Sequence, residues 1–441
     1  MAQKKGLFDW YFKTSLLIRI FVGLLLGAVL GVLLARYAPE FAAKVGPYLD
    51  PFGKAFIRLL QMIIVPTVLF TIIVGVASIS PSSLGRVGVK ILAYYFFTSA
   101  TGALIGIVLG VIAKPGVGVP SLEGVAAAGK EAAKTAPADI ILNFIPTNVV
   151  NALSTGSILQ IIFFTLMFGA ALAYLREAKE ERIKNAADTI YKVCDGGAEL
   201  MFIVIRWIMQ YAPIGVFALM FGVFAKNGLA VVGPLVKVTA IVYIGFFIQA
   251  ILIYGGFLKY SGFKFFPFMK KVRDPMVTAF VTRSSGGTLP LTMKNAENMG
   301  VSKGIYSFTL PMGATINMDG TAIYQAVCAV FIANAVGLPL TMAQMVTVVV
   351  VSVLASIGTA GVPGAGAIML LLVLESVGLN VEAGSVVAAA YAMIIGIDAI
   401  LDMGRTSLNV VGDTVGTAIV AKSEKEMNLK TFEAFDGKTI G

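Results

Sequence analysis

Histidine is absent from the 441 residues, cysteine occurs only twice, and charged side chains make up only 13% of the chain. Without imidazole there is no His-based catalytic triad, no His-ligated zinc or haem and no imidazole proton relay. Two thiols cannot supply a four-cysteine metal site, and Cys194 and Cys328 are too far apart in sequence to read as a structural pair. A soluble domain carries about 25% charged residues, so roughly half the expected charge is missing. In its place stand 58% hydrophobic residues and a mean hydropathy of +0.88. The 47 glycines argue against a coiled coil. The chain therefore reads as an all-α polytopic membrane protein. Its net charge of +10 marks topology rather than a nucleic-acid partner, because membrane proteins concentrate Lys and Arg in cytoplasmic loops.

About 20 apolar residues are needed to cross the hydrocarbon core. Uncharged runs of about that length occur at Ile20–Ala35, Leu59–Ser83, Ile91–Ala113, Ile140–Leu175, Trp207–Ala225 and Val238–Leu258. The first is short, but Arg19 can snorkel, and no cleavage site marks it as a signal peptide. Ile140–Leu175 contains Pro146 and the Ser154-Thr155-Gly156 turn signal, which predict a broken helix. With the N-terminus inside, cytoplasmic segments up to Arg273 hold seventeen Lys and Arg against nine outside. Both termini are thus expected in the cytoplasm, with residues 115–139 as an extracellular loop.

Beyond Arg273 the pattern changes. Met276–Thr282 is too short to cross and meets Arg283-Ser284-Ser285-Gly286-Gly287-Thr288, after which a second short segment ends near Lys294. This predicts a re-entrant hairpin with a polar tip. The next span is interrupted by Asn317-Met318-Asp319-Gly320-Thr321. A second hairpin has its tip at Ser356–Gly366, and a final helix follows from about Ala388 to Val420. A hairpin and a polar-interrupted helix thus occur twice, the inverted-repeat pattern of secondary transporters. Irregular backbone at membrane depth needs protein or a water-filled cavity around it, so a binding site is expected where these segments meet. The glycine-rich tips do not follow strands of a βαβ unit, so they fail as nucleotide loops; their N–H groups suit a small anion.

On the last helix Asp398, Asp402, Arg405, Thr406, Asn409 and Asp413 fall within one arc of about 100°. A carboxylate in hydrocarbon costs at least ~2.5 kcal/mol, and structural helix contacts use Ser, Thr or Asn instead. Where the preceding span unwinds at Asn317–Thr321, freed carbonyls and Asp or Asn oxygens suit a hard cation.

Taken in order, Arg283-Ser284-Ser285, Asn317-Met318-Asp319-Gly320-Thr321, the Ser356–Gly366 tip and Asp402-Met403-Gly404-Arg405-Thr406 with Asn409, Gly412 and Asp413 resemble the glutamate transporter family. Within it the chain is most similar to prokaryotic sodium-coupled aspartate transporters, and the resemblance covers nearly the whole chain. It implies eight transmembrane helices and two re-entrant hairpins in a homotrimer with an elevator-type mechanism. Residues 1–85 and 140–226 would form the scaffold, 86–114 and 227–421 the transport domain, and 422–441 a cytoplasmic tail. Asp402 would take the substrate amine and Arg405 its side-chain carboxylate. Ser284, Ser285, Thr321, Thr406 and Asn409, with the backbone at Arg283, Val362 and Gly366, would complete the pocket. Sodium would be held by Gly313, Asn317, Asn409 and Asp413; by Thr315, Ser356, Ile357 and Thr359; and by Tyr95, Thr98, Ser99, Asn317 and Asp319. Gly286 stands where the family usually has a third serine. Gln325 stands where proton- and potassium-coupled relatives carry glutamate.

The expected function is uptake of L-aspartate, with glutamate as the second candidate, driven by about three co-transported sodium ions and without an organic cofactor. Four core carboxylates against Arg283 and Arg405, plus an acidic substrate, leave three negative charges, which buried sites cannot hold unpaired. The alternatives are a proton-coupled glutamate or C4-dicarboxylate symporter, an ion channel filtered by the hairpins, and an intramembrane aspartyl hydrolase. The last is disfavoured because Arg405 would hold the carboxylates ionised, whereas a catalytic dyad shares a proton.

Overall fold

The computed structural model describes residues 14–78, 85–119, 142, 145–357, 359, 361–382 and 384–439. The side chains of residues 17, 158 and 357 lie outside that description, as does most of the expected 115–139 loop. Among the described residues the only β pairing is a single antiparallel bridge, Val301 to Met427; everything else regular is helical.

The first apolar run becomes α1 (Leu16–Tyr37), started by Ser15, whose hydroxyl accepts from the Ile18 N–H. The second begins in the last turn of α2 (Pro39–Met62) and continues through Ile63 as α3 (Ile64–Ala77). Next come α4 (Arg86–Ala113), α5 (Val149–Thr155) and α6 (Ile158–Leu175). The predicted break between the last two falls at Gly156, whose φ of 69° ends α5. α7 (Glu181–Asn227) continues through a short 3-10 turn into α8 (Val232–Ile248). A π-turn over Gln249–Tyr254 links α8 to α9 (Gly255–Tyr260).

After α10 (Phe265–Lys271), two short helices, α11 (Arg273–Thr282) and α12 (Ser285–Asn298), pack as a pair across Arg283-Ser284. Arg283 takes a left-handed conformation with φ 56°, and the Ser284 hydroxyl caps α12 through the Gly287 N–H. α13 (Lys303–Ile316) and α14 (Asp319–Ala335) are separated at Asn317-Met318, where the sequence placed the break. The second pair is α15 (Met342–Ile357) and α16 (Ala365–Ser376), followed by α17 (Val386–Ser423) and α18 (Leu429–Ala434).

Two sets of helices pack mainly within themselves. α1, α2, α3, α6 and α7 form one; α4, α8 and α11 to α17 form the other, with α14 at its centre and all but one of its residues buried. Glycine ladders set both. On α1, a Cβ at Gly23, Gly27 or Gly31 would come within 2.4–2.8 Å of α7 carbonyl oxygens. On α4, a Cβ at Gly102, Gly106 or Gly110 would come within 2.7–3.1 Å of α14 atoms. Small residues four apart let helix backbones approach where lipid offers no hydrophobic driving force.

Residues after α17 fold back over the end of the second set. Ser302 N–H donates to Glu426 O at 2.9 Å and Asn428 N–H to Gly300 O at 2.8 Å. Phe432 packs on Phe263 and Phe268, and the Lys271 ammonium lies over the Phe432 ring while donating to Phe435 O.

Six helical stretches among the described residues are long and apolar enough to cross a membrane. Eight crossings are expected from the sequence; one of the six stretches, Glu181–Tyr260, runs nearly unbroken for 80 residues, and Leu159–Leu175 is a shorter apolar helix.

Candidate functional site

α17 presents its polar stripe inward, and Arg405 is its centre. The guanidinium is 2% exposed. Nη1 donates to Asp398 Oδ1 at 2.8 Å and Nη2 to Asp398 Oδ2 at 3.4 Å, while Nε donates to Asp402 Oδ1 at 2.9 Å. Its flat face lies 4.4 Å from the centre of the Tyr324 ring on α14. Gly366 of α16 makes room for it, because a Cβ there would sit 2.8 Å from Cζ. Asp402 is also the hub of the tips. It accepts from Thr406 Oγ1 at 3.2 Å and from the Gly364 N–H at 3.1 Å, and Arg283 Nη1 lies 3.9 Å away.

The two tips touch each other directly. Ser284 Oγ donates to Gly361 O at 2.7 Å, and Gly286 N–H donates to the same oxygen at 3.2 Å. Ser285 is buried beside Gly361, and Gly364 turns the second tip with φ 83°. Val362 is half-buried in that turn, its carbonyl accepting from Ala365 N–H at 3.3 Å. Below the tips, Asn409 Oδ1 accepts from Gly320 N–H at 2.8 Å, and Asn409 Nδ2 faces Thr321 Oγ1 at 3.4 Å.

Part of the set expected around sodium gathers in one group. Asn317 Nδ2 donates to Asp413 Oδ1 at 2.9 Å, Thr98 Oγ1 to Asn317 Oδ1 at 3.2 Å and Ser99 Oγ to Asp319 Oδ1 at 2.7 Å. Gly313 backs this group, since a Cβ there would meet Asp413 Oδ1 at 2.5 Å and Tyr95 Oη at 2.6 Å. Tyr95 Oη itself donates to Thr309 O. The hydroxyls of Thr315, Ser356 and Thr359 instead bond carbonyls of their own segments, at Met312, Val353 and Ala355. For Ile357 only the backbone is described, at the end of α15. No cluster of three or more His, Cys, Asp or Glu suited to a metal occurs among the described residues. The donor set is carboxylate, amide, hydroxyl and carbonyl oxygen, which matches hard cations rather than transition metals.

Three neighbours went unassigned in the sequence reading. Asp398 was visible on the stripe, seven residues from Arg405, but its bidentate hold on the guanidinium was not. Gln249 and Tyr254 both reach Asp319, and a lone Gln in an apolar span was the available signal. A cavity of about 720 Å³ lies elsewhere, between α2, α7 and the start of α17, and none of the stripe carboxylates line it.

The profile of the sodium:dicarboxylate symporter family matches residues 16–423. The chain belongs to that family. It is 35% identical over 426 residues to the proton/sodium-glutamate symport protein of Bacillus caldotenax, covering 94% of this chain and 96% of that protein. It is 33% identical to the proton/glutamate-aspartate symporter of Escherichia coli K12, covering 89% of each. To the C4-dicarboxylate transport protein of Edwardsiella ictaluri it is 32% identical, covering 99% of this chain and 97% of that protein. As a member of the sodium:dicarboxylate symporter family it is a multi-pass membrane transporter and not an enzyme. The stripe, the tips and the interrupted helix all lie inside the matched region.

Proposed function

We propose that this symporter takes up L-aspartate, with glutamate as the second acidic candidate, together with about three sodium ions, enough to neutralise a buried site. The observation that carries the reading is Arg405, fully buried, held by two acids of its own helix and roofed by two touching tips. Such a guanidinium can exchange partners without ever being left unpaired. The substrate's side-chain carboxylate takes the bidentate position that Arg offers. Its ammonium takes Asp402, which the guanidinium releases, while Asp398 keeps the Nη groups in place. The α-carboxylate meets tip backbone N–H groups near Arg283, Val362 and Gly366, with Ser285, Thr321, Thr406 and Asn409 completing the pocket.

Coupling follows from charge. Asp319, Asp398, Asp402 and Asp413 are all buried, against Arg283 and Arg405. An acidic amino acid raises the deficit to three negative charges, and burying unpaired charge is prohibitive. Sodium at Gly313, Asn317, Asn409 and Asp413, and at Tyr95, Thr98, Ser99, Asn317 and Asp319, precedes aspartate. The third ion, at Thr315, Ser356, Ile357 and Thr359, follows closure of the second tip.

The membrane reading is eight crossings with two re-entrant pairs, α11–α12 and α15–α16. At about 1.5 Å per residue, an 80-residue run is some four times the ~30 Å hydrocarbon core, and Gly228 divides it, which supports two crossings there. The first helix set then serves as the trimerising scaffold and the second as the moving elevator domain, with both termini cytoplasmic. The mutual packing within each set supports this division.

Calorimetric titration of aspartate across a sodium series tests the coupling. With several coupled ions, log affinity should rise against log sodium with a slope well above one, and Asp413→Asn should flatten it. A slope of one or less in the parent protein contradicts multi-ion coupling.

A further inference from the structure

Asp319 is approached from a side that the motifs do not cover. Between α8 and α9 the chain winds as a π-turn over Gln249–Tyr254, and both end residues are fully buried. In an α-helix, at about 100° per residue, side chains five apart point ~140° away from each other. The wider winding of a π-turn, with its i→i+5 hydrogen bonds, brings them closer to one face. Gln249 and Tyr254 thereby converge on the same oxygen. Tyr254 Oη donates to Asp319 Oδ2 at 2.7 Å, and Gln249 Nε2 donates to it at 3.3 Å and to Thr98 O at 2.9 Å. α17 leaves space for this through Gly412, where a Cβ would lie 2.5 Å from Tyr254 Oη and 2.9 Å from Asn317 Nδ2.

The other end of the Gln249 amide is the informative atom. Oε1 is buried and has no hydrogen-bond partner, an exception among buried polar groups. It shares an amide with a nitrogen that already lies among Thr98 O, Asp319 and the Thr98–Asn317 pair. No donor among the described residues meets it, and an oxygen so placed suits a hard cation.

We propose that Gln249 is a sodium-site residue in its own right. Its NH2 group holds Thr98 O and Asp319 Oδ2 before the cation arrives. On binding, the cation takes over those two oxygens and the amide turns, so that Oε1 becomes a further ligand. Tyr254 anchors Asp319 during the exchange. The π-turn is the device that brings both residues to one carboxylate. This inference rests on the sodium-symport reading above.

The test uses the full-length purified protein, with aspartate affinity measured by calorimetry across series of sodium chloride and of lithium chloride. Gln249→Leu removes the oxygen and Gln249→Glu keeps one in its place; Gln249→Met substitutes for Leu if that variant is not recovered folded. For Leu, the sodium concentration giving half-maximal aspartate affinity should rise tenfold or more. Its affinity at saturating sodium should stay within threefold of the parent, and the sodium-to-lithium preference should shift at least threefold. For Glu, the sodium requirement should not exceed the parent's. A Leu variant with a sodium requirement within twofold of the parent, or with an unchanged sodium-to-lithium preference, overturns the assignment. Equal losses in Leu and Glu also overturn it, because they indicate a packing role. If aspartate binding by the parent is independent of sodium, the symport reading itself fails, whatever the variants do.

Discussion

Arg405→Cys is expected to abolish aspartate binding, lowering affinity by a thousandfold or more at saturating sodium. The guanidinium makes three charge-assisted contacts to Asp398 and Asp402, lies over Tyr324 and fills the space that Gly366 leaves open. Removing it does two things at once. The substrate's side-chain carboxylate loses its only planar, bidentate partner. Asp398 and Asp402 are left buried without the charge between them, the situation in which breaking a buried pair costs about 3–5 kcal/mol. A neutral amino acid such as serine avoids the first loss, so the variant should bind serine better than the parent does. Calorimetry with both ligands, on protein shown to be folded by its melting transition, reads the result. Unchanged aspartate affinity in the Cys variant would remove Arg405 from the pocket.

Asp402→Ala should be nearly as severe. Asp402 joins Arg405, Thr406 and the Gly364 N–H, with Arg283 close by. It is therefore both the amine's partner and the anchor of the second tip. Truncating one member of a buried charge pair costs about 2–5 kcal/mol, roughly thirty- to several-thousand-fold in affinity. Asp402→Asn separates the two roles. The amide still offers an oxygen to the Gly364 N–H, so hydrogen exchange at the tip should stay close to the parent's, whereas aspartate affinity should not recover. If Asp402→Ala binds aspartate within threefold of the parent, the amine is read elsewhere.

How much of this site could be read in advance depended on the kind of signal. Buried charge announces itself, because an aspartate or arginine within an apolar run has few explanations. The α17 stripe, the break at Asn317-Met318 and the first tip were legible for that reason, and the second tip, which carries no charge, was legible from its glycines and Pro363. The pairing of side chains was not. That Asp398 grips Arg405 at both Nη groups, or that Ser284 caps α12 while reaching Gly361 O, depends on rotamers that spacing leaves open. The α1 ladder Gly23, Gly27, Gly31 is visible in the sequence as a small-residue repeat, but its partner α7 lies nearly two hundred residues away. The π-turn left no periodic trace at all. Six residues of local rewinding move Tyr254 onto Asp319, and a hydrophobic pattern read at 3.6 residues per turn passes over them.

The central claim is that a sodium gradient concentrates aspartate, and uptake by proteoliposomes measures it directly. With sodium outside, potassium inside and equal pH, labelled aspartate should accumulate well above its external concentration and leak out again when the sodium gradient is collapsed. Replacing external sodium with potassium while imposing an inward proton gradient should give no accumulation. Accumulation driven by the proton gradient without sodium, or aspartate that only equilibrates across the membrane, would contradict the account.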